Sequence, residues 1–395
     1  MGYAGTNKGG TSAILAAEEL LRSNREAADE ISVDAVLTAF PAIIDRIMGE
    51  GGLWHERTAA AAFIQAGGDT AEAVHLLRAH RSTLPRLTFS LPIEPDDMAL
   101  CRRVVPAHRS PDGPQLLGET VDYSPRIIRR GVGDPLGGDD SDLVVDDDQI
   151  GPAKYPDRPV QRYTRFLAAQ GLLVDRRDES DPEPYDLALN PITLPAPRSA
   201  RLSAMSLAET GALVNLWYRG VIGPDGHTDE SVTLGEVRYG RLGVRVTHPH
   251  TGNPVQVGEI RATECESMAH LDERGEDASR FDAGYGFAMG HNERKAIAMA
   301  NMDLAAQRYA SGPAGWQTEQ VIMHTTDGLA ANGFLEHLKL PHYVTFQSMI
   351  DRALAARAED GKTSQRELAE DAAEQPAQDA AEQPAEDATK KEVLA

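Results

Sequence analysis

His337 and His342 stand five residues apart in HLKLPHYVTFQ, with Pro341 between them. Neutral imidazoles are the commonest nitrogen donors for zinc and related ions, so the pair is a candidate set of metal ligands. Positions three or four apart share a helix face and positions five apart do not, while Pro341 pushes Leu340 towards extended backbone. The two rings can therefore meet one cation only if the chain bends between them. His324 and Asp327 could complete such a site, and His248 and His250 of the His-Pro-His turn compete for that role. A second constellation is Asn7-Lys8-Gly9-Gly10-Thr11-Ser12, which sets a lysine and two glycines before a helical stretch. Exposed amides, a helix N-terminus and one mobile ammonium suit a phosphate, although the full Walker spacing is missing. A third lies where Gly284, Gly286 and Gly290 precede Asn292, Glu293, Arg294 and Lys295. Their G-x-G-x-x-x-G spacing departs from the dinucleotide fingerprint and argues against a Rossmann oxidoreductase. Asn292 suits a helix cap, and Arg294 or Lys295 in the first turn could meet an anion; a solvated charged turn is the plainer alternative.

The elements that must carry these residues follow from periodicity. Residues 1–128 read as mainly helical, with apolar positions near a 3.6-residue period in TSAILAAEELLRS and VDAVLTAFPAIIDRIMGE and a helical hairpin in AAAAFIQAGGDTAEAVHLLRAH. In that hairpin Gly67 and Gly68 stop the first helix and Asp69 caps the second. Residues 129–165 form an acidic insert or linker of Gly, Pro and Asp. Residues 166–350 are expected to be an α+β region. Short strand-like runs between Leu187 and Ile260, such as VTLGEV, LGVRVTH and PVQVGEIRA, predict an antiparallel sheet, and FDAGYGFAMGHNERKAIAMANMDLAAQRYA is read as a glycine-rich lead into a long helix. In residues 351–395 a helix end gives way beyond about Arg357 to a disordered acidic tail, where DAAEQPAQDAAEQPAED repeats without an apolar face.

Composition narrows the function classes. A formal charge of -22 over 395 residues argues against nucleic-acid and anionic-membrane binding, because phosphate backbones reward clustered Lys and Arg. Asp134 to Ile150 holds seven acids and no bases, and Glu359 to the C-terminus eleven acids against four bases, so the remainder is only mildly acidic. Cys101 and Cys265 are the two cysteines, too few for a disulfide framework or for the four thiolates of an iron-sulfur cluster. The N-terminus lacks a signal peptide's profile and no run is apolar enough to span a bilayer, so a soluble cytoplasmic protein is expected.

Seven collinear stretches carry a resemblance: YAGTNKGGTSAI, AGGDTAEAVHLLRAHRSTLPRL, GPQLLGETVDYSPR, LPAPRSARL, VGEIRATECE, GYGFAMGHNERKAIAMA and GFLEHLKLPHYVTFQ. Together they resemble the family of PhnI, the I subunit of the bacterial carbon-phosphorus lyase core complex, over about residues 1–128 and 187–350. The resemblance implies phosphonate catabolism. With the G, H and L subunits, adenine is displaced from C1' of ATP by methylphosphonate, giving ribose 1-methylphosphonate 5-triphosphate; alone, the subunit is linked to purine nucleosidase activity. It implies PhnG, PhnH, PhnJ, PhnK and PhnL as partners, with the radical step belonging to J, and it makes His337 and His342 the ligands of a zinc or similar ion near the J interface. Such chemistry needs a carboxylate near the sugar, a proton donor for the purine and cations for phosphates. Glu264 of the ATECE strand is a candidate carboxylate, with a structural strand-end glutamate as the plainer alternative, and Lys8, Gly9, Gly10, Arg294 and Lys295 are candidates for phosphates. The acidic insert and tail depart from the family pattern, and so does Thr325-Thr326-Asp327-Gly328, where the family has Ser-Asp-Asn-Val. The rival reading is a non-catalytic architectural subunit that scaffolds its partners.

Overall fold

Pro41 opens one helix at its first position, where a missing N–H costs nothing, and Asp69 opens another by accepting from the backbone N–H of Ala71 and Glu72. These two signals sit in a set of helices: α1 (Gly10–Ala28), α2 (Val33–Ala39), α3 (Pro41–Gly51), α4 (Glu56–Gln65) and α5 (Thr70–Thr83). In the computed structural model of the protein, residues 10–28, 31–105, 161–174, 184–222, 233–269, 279–308, 313–324 and 343–374 are described. Helices α2 to α5 close over Val36, Ile44, Ile47, Met48, Ala59, Ala60, Val74 and Leu77, all buried. The helical hairpin read from the sequence is α4 and α5, with Gly67 and Gly68 at positive φ between them.

The fold is α+β. Four antiparallel strands follow in the order β1 (Ala99–Val104), β2 (Thr233–Thr247), β3 (Pro254–Ala269) and β4 (Asp282–Met289). Helix α6 (Tyr163–Ala169) lies between β1 and β2 in sequence. The long β2–β3 hairpin turns at His248-Pro249-His250, where His248 Nδ1 accepts from the backbone N–H of His250 and Thr251.

Three expectations need correction. The stretch from Leu187 does not open the sheet: α7 (Arg198–Leu207) and α8 (Thr210–Ile222) come first, and Ala200, Met205 and Leu213 pack with Met299, Met302 and Ile322. Their run of Ala, Leu, Met and Arg favours helix. FDAGYGFAM, read as the lead into a helix, is strand β4, with alternating buried and half-buried residues. Its glycines hide the alternation by offering no side chain to read, and they exist for the helix that packs on them. α9 (Glu293–Arg308) crosses β4 so closely that a Cβ at Gly284 or Gly286 would overlap the carbonyl oxygens of Ala300 and Ala296. From α9, Asp303 accepts from the Tyr285 N–H at 2.9 Å and binds Arg198, which satisfies a strand-edge donor. α10 (Pro313–His324) completes this layer.

The third correction concerns the tail. Residues 13–333 form one unit, and residues 1–12 with 334–395 form another. In the latter, α11 (Tyr343–Glu374) runs past Arg357, where the tail was expected to begin. Its Ala, Glu, Lys and Arg are strong helix formers even without an apolar face. The acidic insert, nearly all of the domain 129–165, and the last 21 residues of the chain, with most of the repeat, lie outside the described residues.

Candidate functional site

Strand pairing sorts the polar residues of the sheet onto two faces. Glu236 lies opposite Glu266, which lies opposite Tyr285, and Arg238 lies opposite Glu264. Alternation puts all five on the face away from α9. Like charges across a pair repel, so arginines must interleave. Arg238 donates through Nε to Glu264 at 2.9 Å, Arg162 bonds Glu264 and sits 3.1 Å from both Glu266 and Asp96, and Arg165 binds Asp96. Arg103 donates to Glu236 at 2.6 Å, and the Thr164 hydroxyl donates to Glu266 at 2.6 Å. Four guanidinium groups thus meet four carboxylates, and the cluster ties β1 and α6 to the sheet. Glu264, the candidate carboxylate, is 1% exposed, and arginines engage both of its oxygens. Both oxygens are thereby spent on the fold. Burial, then Glu264, pushes the Tyr285 phenol well above its ordinary range, and burial lifts the Cys265 thiol to about 12. Neither is a ready nucleophile or acid at neutral pH.

The α9 face holds a more open group where β4 turns into α9. Gly290 takes φ +88, a conformation costly for other residues, and an added Cβ would strike Asp45. Four backbone groups of the turn are hydrogen-bonded. Gly290 N–H donates to the Arg261 carbonyl (2.8 Å), its carbonyl accepts from Thr263 Oγ1 (2.6 Å), and His291 N–H donates to Asp45 (2.9 Å). Asn292 N–H donates to Thr263 Oγ1 (2.9 Å), while its side chain caps α9 at Lys295 N and donates to Thr210. Asp45 is held in turn by Arg261, which also reaches Glu56 and lies 5.1 Å from the Trp54 ring centre.

On this fixed turn the His291 ring stacks on Tyr239 at 4.1 Å, and its Nε2 lies 3.8 Å from Glu293. Glu293 accepts from Arg102 Nε at 2.7 Å. The imidazole first, and then Arg102, hold the Glu293 carboxyl below its usual range. Burial, then Asp45, raises the Tyr239 phenol. His291 is one-third exposed, so its ring meets solvent where the Glu264 carboxylate does not.

Of the residues singled out from the sequence, Arg294 is exposed on the first turn of α9, beside Glu293. Lys295 turns inward: it is 1% exposed and its ammonium donates to the Ser206 carbonyl. Gly10 is the first residue of α1. His324 ends α10, and Lys8, Gly9, Asp327, His337 and His342 lie outside the described residues. Among the described residues no three His, Cys, Asp or Glu side chains are grouped to hold a metal ion. None of their helices is long and apolar enough to cross a membrane. Sequence reasoning missed His291, Tyr239, Arg102, Asp45 and Arg261. Only His291 left a local signal, through the pattern of titratable residues flanking the Asn292 cap.

Comparisons with known proteins agree along the chain. The family model for bacterial phosphonate metabolism protein (PhnI) matches residues 3–360. HtxH of Stutzerimonas stutzeri, named for a C-P lyase subunit, is 38% identical over 370 residues, covering 89% of this chain and 95% of the relative. Two relatives are named alpha-D-ribose 1-methylphosphonate 5-triphosphate synthase subunit PhnI. The one from Rhizobium meliloti is 34% identical over 92% of this chain and 99% of the relative. The one from Escherichia coli is 36% identical over 87% and 95%.

Proposed function

The chain belongs to the PhnI family of bacterial phosphonate metabolism proteins, and from that premise we propose that it serves as the I subunit of the carbon-phosphorus lyase system. There it acts as part of an enzyme assembled from several subunits. Together with G, H and L it displaces adenine from C1' of ATP by methylphosphonate, and it shares the complex with J and K in the cytoplasm. The observation that carries this reading is kinship over nearly the whole chain with subunits named for a ribose 1-methylphosphonate 5-triphosphate synthase. Such a product keeps a triphosphate at C5' and a phosphonate ester at C1', so a nucleoside triphosphate is the fitting donor. Breaking the C1'–N9 bond leaves positive charge on the sugar and electrons on the purine, so the reaction gains from fixed cations and a proton donor. The Lys8-Gly9-Gly10 segment is the phosphate contact of this reading.

The full chain, alone and assembled with its partners, should release free purine from ATP or GTP, and methylphosphonate should divert the assembled enzyme's product to the C1' ester. Lys8→Ala should raise KM for the nucleoside triphosphate. Purine release independent of this chain would favour the architectural reading. That alternative draws on one observation: Glu264 and Lys295 are spent within the fold.

We assign a zinc or similar divalent ion to His337 and His342, since two neutral imidazoles suit such a cation. A bound ion would supply charge stabilisation to an anionic oxygen. His337→Ala with His342→Ala should take the assembled complex from stoichiometric metal to none by elemental analysis. Unchanged metal content would remove the assignment.

A further inference from the structure

The strand-to-helix turn at Gly290 to Glu293 is more firmly held than a connection requires, and the side chain it presents is an imidazole. A proton donor to a leaving group must titrate near neutral pH, be fixed in place and reach solvent. Among the described residues every carboxylate of the face away from α9 is paired with arginine, and Tyr285 and Cys265 are buried. On the α9 face Arg261 is committed to Asp45 and Glu56. His291 carries an imidazole that is fixed in place and one-third exposed. Its backbone N–H is anchored to Asp45, and its ring is braced against Tyr239. Glu293 lies near Nε2, with Arg102 fixing that carboxylate from behind. Nδ1 makes no hydrogen bond among the described residues. With Glu293 on the Nε2 side of the ring, Nδ1 is the nitrogen left to donate.

We infer that His291 is the general acid that protonates the departing purine, oriented by Glu293 and Tyr239. This rests on the nucleoside-triphosphate reading above. In the step the C1'–N9 bond breaks with its electron pair passing into the purine, and the Nδ1 proton of the imidazolium moves to purine N7. An anionic methylphosphonate oxygen forms the new C1'–O bond, and His291 regains its proton from solvent. When water is the nucleophile, the proton that water loses balances the one the purine gained.

The test compares GTP with N7-methyl-GTP, whose cationic base departs without protonation. Purine release by the full chain, alone and assembled, is measured for wild type, His291→Asn, His291→Gln and Glu293→Gln, with thermal melts and complex assembly recorded for each. For both His291 variants the GTP rate should fall ~100-fold or more while the N7-methyl-GTP rate changes less than about threefold, the scale of general acid catalysis. Glu293→Gln should show the same selectivity with a smaller loss. Equal losses on the two substrates would make His291 a structural residue, and an unchanged GTP rate would dismiss it; either outcome overturns the assignment. If wild type releases no purine from either substrate, the parent reading fails first and takes this one with it.

Discussion

Gly286→Ala should destabilise the protein by about 3 kcal/mol or more, at the upper end of what overpacking costs. The new methyl would overlap the Ala296 carbonyl oxygen and lie 2.8 Å from the Ala300 nitrogen. Both atoms are helix backbone, so no side-chain rotation relieves the clash, and α9 must shift off β4 as a whole. That shift would disturb Ala296, Ala300, Cys265 and Val237, which form one buried cluster between sheet and helix. It would also move the Asn292 cap and the His291 ring. Gly258→Ala is the matched control, since nothing lies within 4 Å of its added Cβ. Urea unfolding of the two variants should show a large fall in midpoint for Gly286→Ala and almost none for Gly258→Ala. Equal midpoints would contradict the close approach of α9 to β4.

Arg238→Met comes next in size. Arg238 and Glu264 are buried almost completely, and Arg238 faces Asp96 and Glu236 as well. Removing one member of a buried pair leaves an uncompensated charge, a cost of about 3–5 kcal/mol. Glu264→Gln should cost a similar amount, because Arg238 loses its nearest anion and Arg162 loses one of its three. The double variant should cost less than the sum of the two, since each change removes the group that the other strands. Arg241→Met, exposed on the same strand, should be nearly neutral. Glu266 behaves differently. Burial raises its carboxyl above the ordinary 4.5, so the folded state takes up this proton more readily than the unfolded chain. The resulting stabilisation is complete below the ordinary value and is lost as pH rises through the folded one. Glu266→Gln should flatten stability over that window, whereas a profile unchanged in shape would show that Glu266 does not titrate there.

Local signals made much of the fold legible. Asp69 and Asn292 lie next to the helices they cap, a turn of backbone decides each, and both caps are where the chain's spelling puts them. Apolar spacing likewise placed the N-terminal helices, and β2 and β3 carry strand-like alternation. The collinear motifs reached further than any single pattern and pointed to the family without reference to coordinates. Strand β4 escaped because glycine contributes nothing to a periodicity, and the reason for Gly284 and Gly286 is a helix that follows in sequence but packs back across them. The partners of Glu264 and the burial of Lys295 escaped for a related reason. A charged residue reads alike whether it faces solvent or a buried partner, and Arg162, more than 100 positions from Glu264 along the chain, decides which. His291 shows the same limit at the candidate site. Its type suits proton transfer wherever it stands, but Tyr239, Asp45 and Arg102 come from β2, α3 and β1, and only long-range pairing gathers them around one ring.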